Sequence, residues 1–98
     1  MSTVTLENLR VRARDGDAPA LRTLGQRLLL GQGVAQAPQE GYACIAQAAA
    51  RGDAEATAQL ALFAAWGVLR PQDWPEALDH LLRAAELGWP PAQRELHG

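Results

Sequence analysis

The chain has 98 residues, enough for one small domain that buries roughly 60–65% of its unfolded surface. Hydrophobic residues make up 48%, which excludes a disordered polymer. A formal net charge of -2 excludes a strong electrostatic pull toward nucleic acid or an acidic membrane. The single cysteine, Cys44, cannot form an intrachain disulfide. Residues 1–5 carry neither a charged n-region nor an apolar h-region, so no signal peptide is expected. The longest nearly apolar stretch, residues 56–69, is interrupted by Thr57 and Gln59 and is too short to span a bilayer. A cytoplasmic protein is the expectation. Aromatics are only 5% and alanine dominates the apolar set, a composition that favours closely packed helices. Every basic residue is arginine, which reads as codon bias rather than chemistry.

An internal repeat organises the chain, with a period of 36 residues. Gly16, Gly52 and Gly88 obey it, as do Ala20, Ala56 and Ala92, and Leu24, Leu60 and Leu96. Gly31 pairs with Gly67, Glu40 with Glu76, Ile45 with Leu81, and Ala48–Ala49 with Ala84–Ala85. In chain order, a lone helix is predicted over residues 3–14, with Leu9 in the register of Ile45 and Leu81. A first helix follows over 18–30, with Ala20, Leu24 and Leu28 on one face. A second helix over 39–51 carries Tyr42, Ile45 and Ala49. The copies run over 54–66, with Ala56, Leu60 and Ala64, and over 74–87, with Leu78, Leu81 and Ala85. After Gly88, Ala92 and Leu96 restart a first helix, giving about six in all.

The boundaries have their own chemistry. Asp17 and Asp53 stand where an N-cap is needed, and Asp73 to Glu76 has capping-box spacing with Pro75 in the first turn. Pro90 and Pro91 suit the first turn of another helix. Gly31, Gly52 and Gly88 suit the left-handed position that ends a helix. One domain results: a capping helix over 1–15, repeats over 16–51 and 52–87, and a partial repeat over 88–98.

These residues resemble a known family. Ala20-x3-Leu24-Gly25, Gly31-x-Gly33-Val34 and Ala48-Ala49-x2-Gly52 are similar to Sel1-like repeats, the longer relatives of tetratricopeptide repeats. Asp73-x2-Glu76-Ala77 and Arg83-Ala84-Ala85-Glu86-x-Gly88 in the second unit are similar too. The chain departs from the family pattern at Leu28 and Ala64, where the family often has Tyr, and at Cys44 and His80, where it has aromatics. Leu69 stands where the first unit has the loop glycine Gly33. The resemblance implies an all-α fold, a right-handed α/α superhelix of tandem hairpins with a concave face lined by the first helices. It implies a non-enzymatic module that binds proteins or peptides. Family members also occur in bacteria beside enzyme domains, including iron/2-oxoglutarate hydroxylase-type domains. The alternative is therefore an N-terminal accessory domain of a longer enzyme, which positions substrate or holds a dimer.

Candidate chemistry is sparse. His80 occupies a repeat position aligned with Cys44 and Asn8, His97 lies near the end, and no ligands converge on either. Cys44 reads as a small buried apolar residue. Asp15 and Asp17 flank Gly16 at a helix junction, where cap roles suffice. The glycines follow the repeat rather than a phosphate-loop pattern. Arg10 and Arg14 share a helix face while Arg12 points away, so a solvated helix is favoured over an anion patch. No catalytic, cofactor or metal residues are expected.

By tetratricopeptide geometry, the inner face presents Arg22, Gln26, Leu29 and Leu30, then Ala58, Leu62, Ala65 and Trp66, with Arg94 extending the row. The expected partner-binding residues are Arg22, Gln26, Leu29, Leu62, Trp66 and Arg94, an apolar strip flanked by arginine. Against this, Trp66 could instead pack on the inter-helix loop. Trp74 and Trp89 are expected to cover junctions between repeats. At the other extreme of the chain, Leu96 has the register of Leu24 and Leu60 two residues before Gly98. Either the natural polypeptide continues, or the edge near Trp89 and Leu96 is covered by self-association.

Overall fold

Alanine-rich segments with apolar residues at helical spacing fold as the period predicts. The computed structural model describes residues 6–89. Among them are five α-helices and no strand: α1 (Leu6–Arg14), α2 (Ala18–Leu30), α3 (Pro38–Ala50), α4 (Ala54–Trp66) and α5 (Trp74–Glu86). The expected first helices match α2 and α4 end to end, and α3 begins one residue earlier than expected. The sixth helix expected from Pro90, the start of the first helix at residue 3, and Arg94, Leu96 and His97 lie outside the described residues.

α2 packs most extensively on α3, and α4 on α5, so each unit is a hairpin. α1 packs on α2 and α3 packs on α4, which stacks one unit on the next. The chain is thus a right-handed α/α superhelix of tandem hairpins. Leu24 and Leu60 are buried at equivalent places, as are Ala20 and Ala56, while Leu9 and Ile45 are almost fully sealed. Ten of the core residues are alanine, so few large side chains fill the interior, and close helix approach has to supply the contact.

That approach is tightest within the first hairpin. A Cβ added at Gly25 would lie 2.7 Å from the Gly41 carbonyl oxygen, and one added at Gly41 would lie 2.7 Å from the Gly25 oxygen. Backbone therefore rests on backbone where α2 crosses α3. The counterparts in the second hairpin are Ala61 and Ala77, both buried, so the second crossing accommodates a methyl on each side.

The caps follow the expected pattern with one correction. Asp53 accepts a hydrogen bond from Ala56 N–H at 2.8 Å, and Asp73 accepts one from Glu76 N–H at 3.0 Å. Asp17 makes no side-chain cap bond. Its carboxylate is drawn instead to Arg12, 2.7 Å from Nη2. Gly31 and Gly67 end α2 and α4 with φ of 71° each. In the loop after Gly67, Leu69 keeps the left-handed backbone of its counterpart Gly33, with φ of 64° against 74°. A side chain there costs about 1–2 kcal/mol, so the loop geometry survives the loss of its glycine at the expense of local strain. Beside it, Gln72 donates to the Ala65 carbonyl at 2.8 Å, and Gln36 makes the same bond to Leu29 one unit earlier.

Two packing expectations need correction. Trp74 stands 64% exposed and covers no junction among the described residues, because it is the first residue of α5 and lies on that helix's outward flank. Leu78 is 53% exposed, whereas its counterpart Tyr42 packs against the core. Trp89 does pack as expected, against Ala58 and Ala84.

Leu60→Ala should lower unfolding stability by about 2–5 kcal/mol in a denaturant titration. Gly41→Ala should also destabilise, by about 1–3 kcal/mol, although alanine favours a helix by about 1 kcal/mol. A neutral or stabilising Gly41→Ala result would mean that the helices separate freely.

Candidate functional site

The first helices α2 and α4 lie side by side, and a depression of about 180 Å³ opens between them. Gln26, Leu29 and Leu30 form its α2 wall, and Gln59 and Phe63 its α4 wall. Leu30 is 66% exposed at the mouth. The α4 wall is braced from behind. Phe63 meets Tyr42 of α3 with ring centroids 5.6 Å apart, and Arg70 donates to the Tyr42 hydroxyl at 2.6 Å. Arg70 also donates to Glu76 at 3.1 Å, while its guanidinium carbon sits 5.9 Å from the Tyr42 ring centroid. The bond to the phenol, reinforced by Glu76, pushes the Arg70 pKa above its usual value.

The expected partner-binding residues divide into four groups. Gln26 and Leu29 line the depression. Leu62 and Trp66 are exposed, Trp66 by 75%, and lie one repeat further along at the positions of Gln26 and Leu30. Trp66 is therefore not packed onto the inter-helix loop. Arg22 is held within the protein: its Nε lies 3.0 Å from Asp53 and its Nη1 3.4 Å from Glu55. Arg94 lies outside the described residues. Gln59 and Phe63 were missed because the tetratricopeptide positions mark residues that look toward the next unit. These two look back toward the preceding one. An aromatic three residues after the buried Leu60 was the available signal.

A pair of further depressions lies between successive second helices, α1 standing in that register. One, of about 200 Å³, has Arg10, Arg14, Cys44 and Gln47 at its rim over Leu21 and Leu24. The other, of about 250 Å³, has Ala46, Ala50, His80 and Arg83 over Thr57 and Leu60. Each residue of the first lies 36 before its counterpart in the second, so both are products of the repeat geometry. Their chemistry does not repeat: an arginine pair becomes an alanine pair. Burial, then the charge of Glu40, raises the Cys44 thiol pKa against the opposing effect of Arg10. His80 lies 3.3 Å from Glu76. Among the described residues, no three His, Cys, Asp or Glu side chains are grouped to hold a metal ion. No helix among them is long and apolar enough to cross a membrane.

Tandem hairpins stacked at a fixed period define an α/α helical-repeat solenoid. Solved structures place it more narrowly. The chain is 33% identical to a Sel1 repeat protein from Oxalobacter formigenes, with a TM-score of 0.89, over 93% of this chain and 68% of that one. It is 32% identical to c5321, a protective antigen of uropathogenic Escherichia coli strains displaying an SLR fold, with a TM-score of 0.88. That match covers 96% of this chain and 20% of the Escherichia coli protein. The chain belongs to the Sel1-like repeat family. No protein-family model and no curated protein matches it.

Arg22 joins α2 to the cap of α4, since Asp53 Oδ1 also accepts the Ala56 N–H. Arg22→Ala should therefore lower stability by about 1–2 kcal/mol, with the difference shrinking in high salt. An unchanged melting temperature would leave Arg22 free to serve a ligand.

Proposed function

We propose that the chain is a non-enzymatic interaction module whose concave face binds an extended apolar peptide segment of another protein. A helical-repeat fold of this family supports the class of function. The observation that carries the finer reading is Gln59. Its Oε1 is buried without a hydrogen-bond partner, on a residue that lines the apolar depression between α2 and α4. Leaving such an acceptor unmet costs about 1–3 kcal/mol. A turn of the terminal amide would bring the oxygen to the groove, where a peptide N–H could satisfy it. Leu29, Leu30 and Phe63 would then take an apolar side chain of the same segment. Leu62 and Trp66 continue the strip by one repeat, and exposed tryptophans are frequent anchors at interfaces. Arg22 contributes by fixing α2 to α4 rather than by touching the ligand. The low net charge favours such a peptide over nucleic acid, and a cytoplasmic setting suits an unpaired thiol at Cys44.

Peptides selected from a random library against the wild-type chain test this. Leu30→Asp and Trp66→Ala should each weaken the selected peptides about tenfold or more in a calorimetric titration, while Val11→Asp on α1 should not. Both replaced groups are exposed, so circular dichroism should stay unchanged. Peptides whose affinity ignores both substitutions would place the binding surface elsewhere.

A further inference from the structure

α1 and α3 both pack on α2, and the depression of about 200 Å³ opens between them over that helix. Its floor is Ala13, Leu21 and Leu24, all buried. Its α1 rim is Arg10 and Arg14, one helical turn apart, and its α3 rim is Cys44 and Gln47. Both arginines are exposed, and no carboxylate lines the depression among the described residues. Arg14 makes no ion pair among them. Arg10 meets the exposed Glu40 at 3.9 Å, a pairing worth little between solvated side chains. Arg12, by contrast, turns away and is taken up by Asp17. The counterpart depression shows that packing does not ask for the arginine pair. One period on, Arg10 and Arg14 become Ala46 and Ala50, while Ala13 and Leu24 keep their kind as Ala49 and Leu60. The first floor is also the more apolar, with Leu21 in the place of Thr57.

We propose that this depression binds an acidic peptide segment of a partner protein, with an apolar side chain on the Ala13–Leu21–Leu24 floor and carboxylates on Arg10 and Arg14. Charge argues for that occupant. Two guanidiniums beside an apolar floor complement a group that is apolar at its centre and anionic at its edge. Each guanidinium can donate two parallel hydrogen bonds to one carboxylate. Their spacing of one turn, about 5–6 Å between Cβ atoms, suits two carboxylates set on either side of a single apolar residue. Size argues for a side chain rather than a whole cofactor, since small-molecule pockets run to about 300–1,000 Å³. Gln47 on the opposite rim offers an amide donor and acceptor to the backbone of the segment. The net charge of -2 does not oppose this, because at physiological salt the attraction is local. The site shares no lining residue with the concave groove between α2 and α4, so the two readings stand or fall separately.

The test is fluorescence anisotropy of the 98-residue chain with a set of labelled peptides. Each peptide holds one Leu, Ile, Phe or Trp between two Glu or Asp residues in a Gly–Ser background. Saturable binding of at least one of them is expected. Arg10→Ala and Arg14→Ala should each raise its dissociation constant at least about tenfold. Both variants should keep the wild-type circular dichroism spectrum, since alanine fills the same places one repeat on. Arg83→Ala removes an equal charge from the counterpart depression, and Trp66→Ala alters the concave groove; each should leave the constant within about twofold. Replacing the acidic residues of the peptide by Gln or Asn, or its apolar residue by Gly, should weaken binding at least about tenfold. A set from which no peptide binds overturns the proposal. So does a loss on Arg83→Ala or Trp66→Ala equal to the loss on Arg14→Ala. Undiminished binding of the peptide without its apolar residue overturns it too, because the contact would then be a general attraction between charges.

Discussion

Two glycines facing each other across a helix crossing, Gly25 on α2 and Gly41 on α3, set the geometry on which the first repeat depends. With each carbonyl oxygen 2.7 Å from where the other residue's Cβ would be, neither position has room for a side chain. The close crossing brings the backbones of the hairpin together, the contact that a core rich in alanine needs in place of large side chains. It also sets the distance at which Leu24 and Leu28 meet Ile45 and Ala48, and hence the surface offered to the next unit. The second hairpin is built on the same plan with Ala61 and Ala77, one methyl wider on each helix. The two hairpins are therefore homologous without being equivalent, and the buried side chains of the second are mostly small: beside Leu60 and Thr57 they are Ala56, Ala58, Ala61, Ala64, Ala77 and Ala84.

A solenoid is stabilised by nearest-neighbour contacts, so the joint between units matters as much as the units. Here the joint has three parts. Ile45 and Leu60 belong to one buried cluster that spans both hairpins. Tyr42, Phe63 and Arg70 form an aromatic and cationic clamp on the loop side. Arg22 and Asp53 close the opposite end of the first helices. The clamp holds Phe63, which is also a wall of the concave depression. The surface available to a ligand is thus fixed by the same contacts that hold one repeat on the next.

The period of 36 makes the fold legible in the sequence. It gives the bounds of α2 and α4, and it identifies Leu24, Leu60, Ala20 and Ala56 as core, because a repeat marks the positions that must contact the neighbouring unit whatever residue fills them. It did not reveal partners. Arg22 looked like a free groove cation, and only the fold brings Asp53, 31 residues away, to 3.0 Å from it. Asp17 occupies the same cap position as Asp53, yet Arg12 one turn upstream competes for its carboxylate, and an ion pair at 2.7 Å wins over a cap bond. Trp74 looked like a junction residue because large aromatics are usually buried. Its counterpart is Pro38, however, so the register of the repeat already argued against reading it from size alone. Of the residues lining the depression, the repeat positions mark Gln26, Leu29 and Leu30 but not Gln59 and Phe63. Those positions mark one wall, whereas a depression between two helices has a wall from each.

α4 connects the concave groove to α5. Its groove side presents Gln59 and Phe63, and its other contacts are with α5, whose outward flank carries Trp74 and Leu78. α5 packs along α4 largely through small residues, with Ala58 and Ala84 buried between them. Covering that flank would steady α5, then α4, then the groove wall, since each element in a solenoid is supported by its neighbour. Binding at the groove and occupancy of the α5 flank would then be linked, and the linkage would run equally in both directions. Its strength would be set by how firmly α4 is already held from the first repeat. The Tyr42–Phe63–Arg70 clamp and the Arg22–Asp53 pair fasten α4 at both ends, which would confine the linkage to the α4–α5 contact.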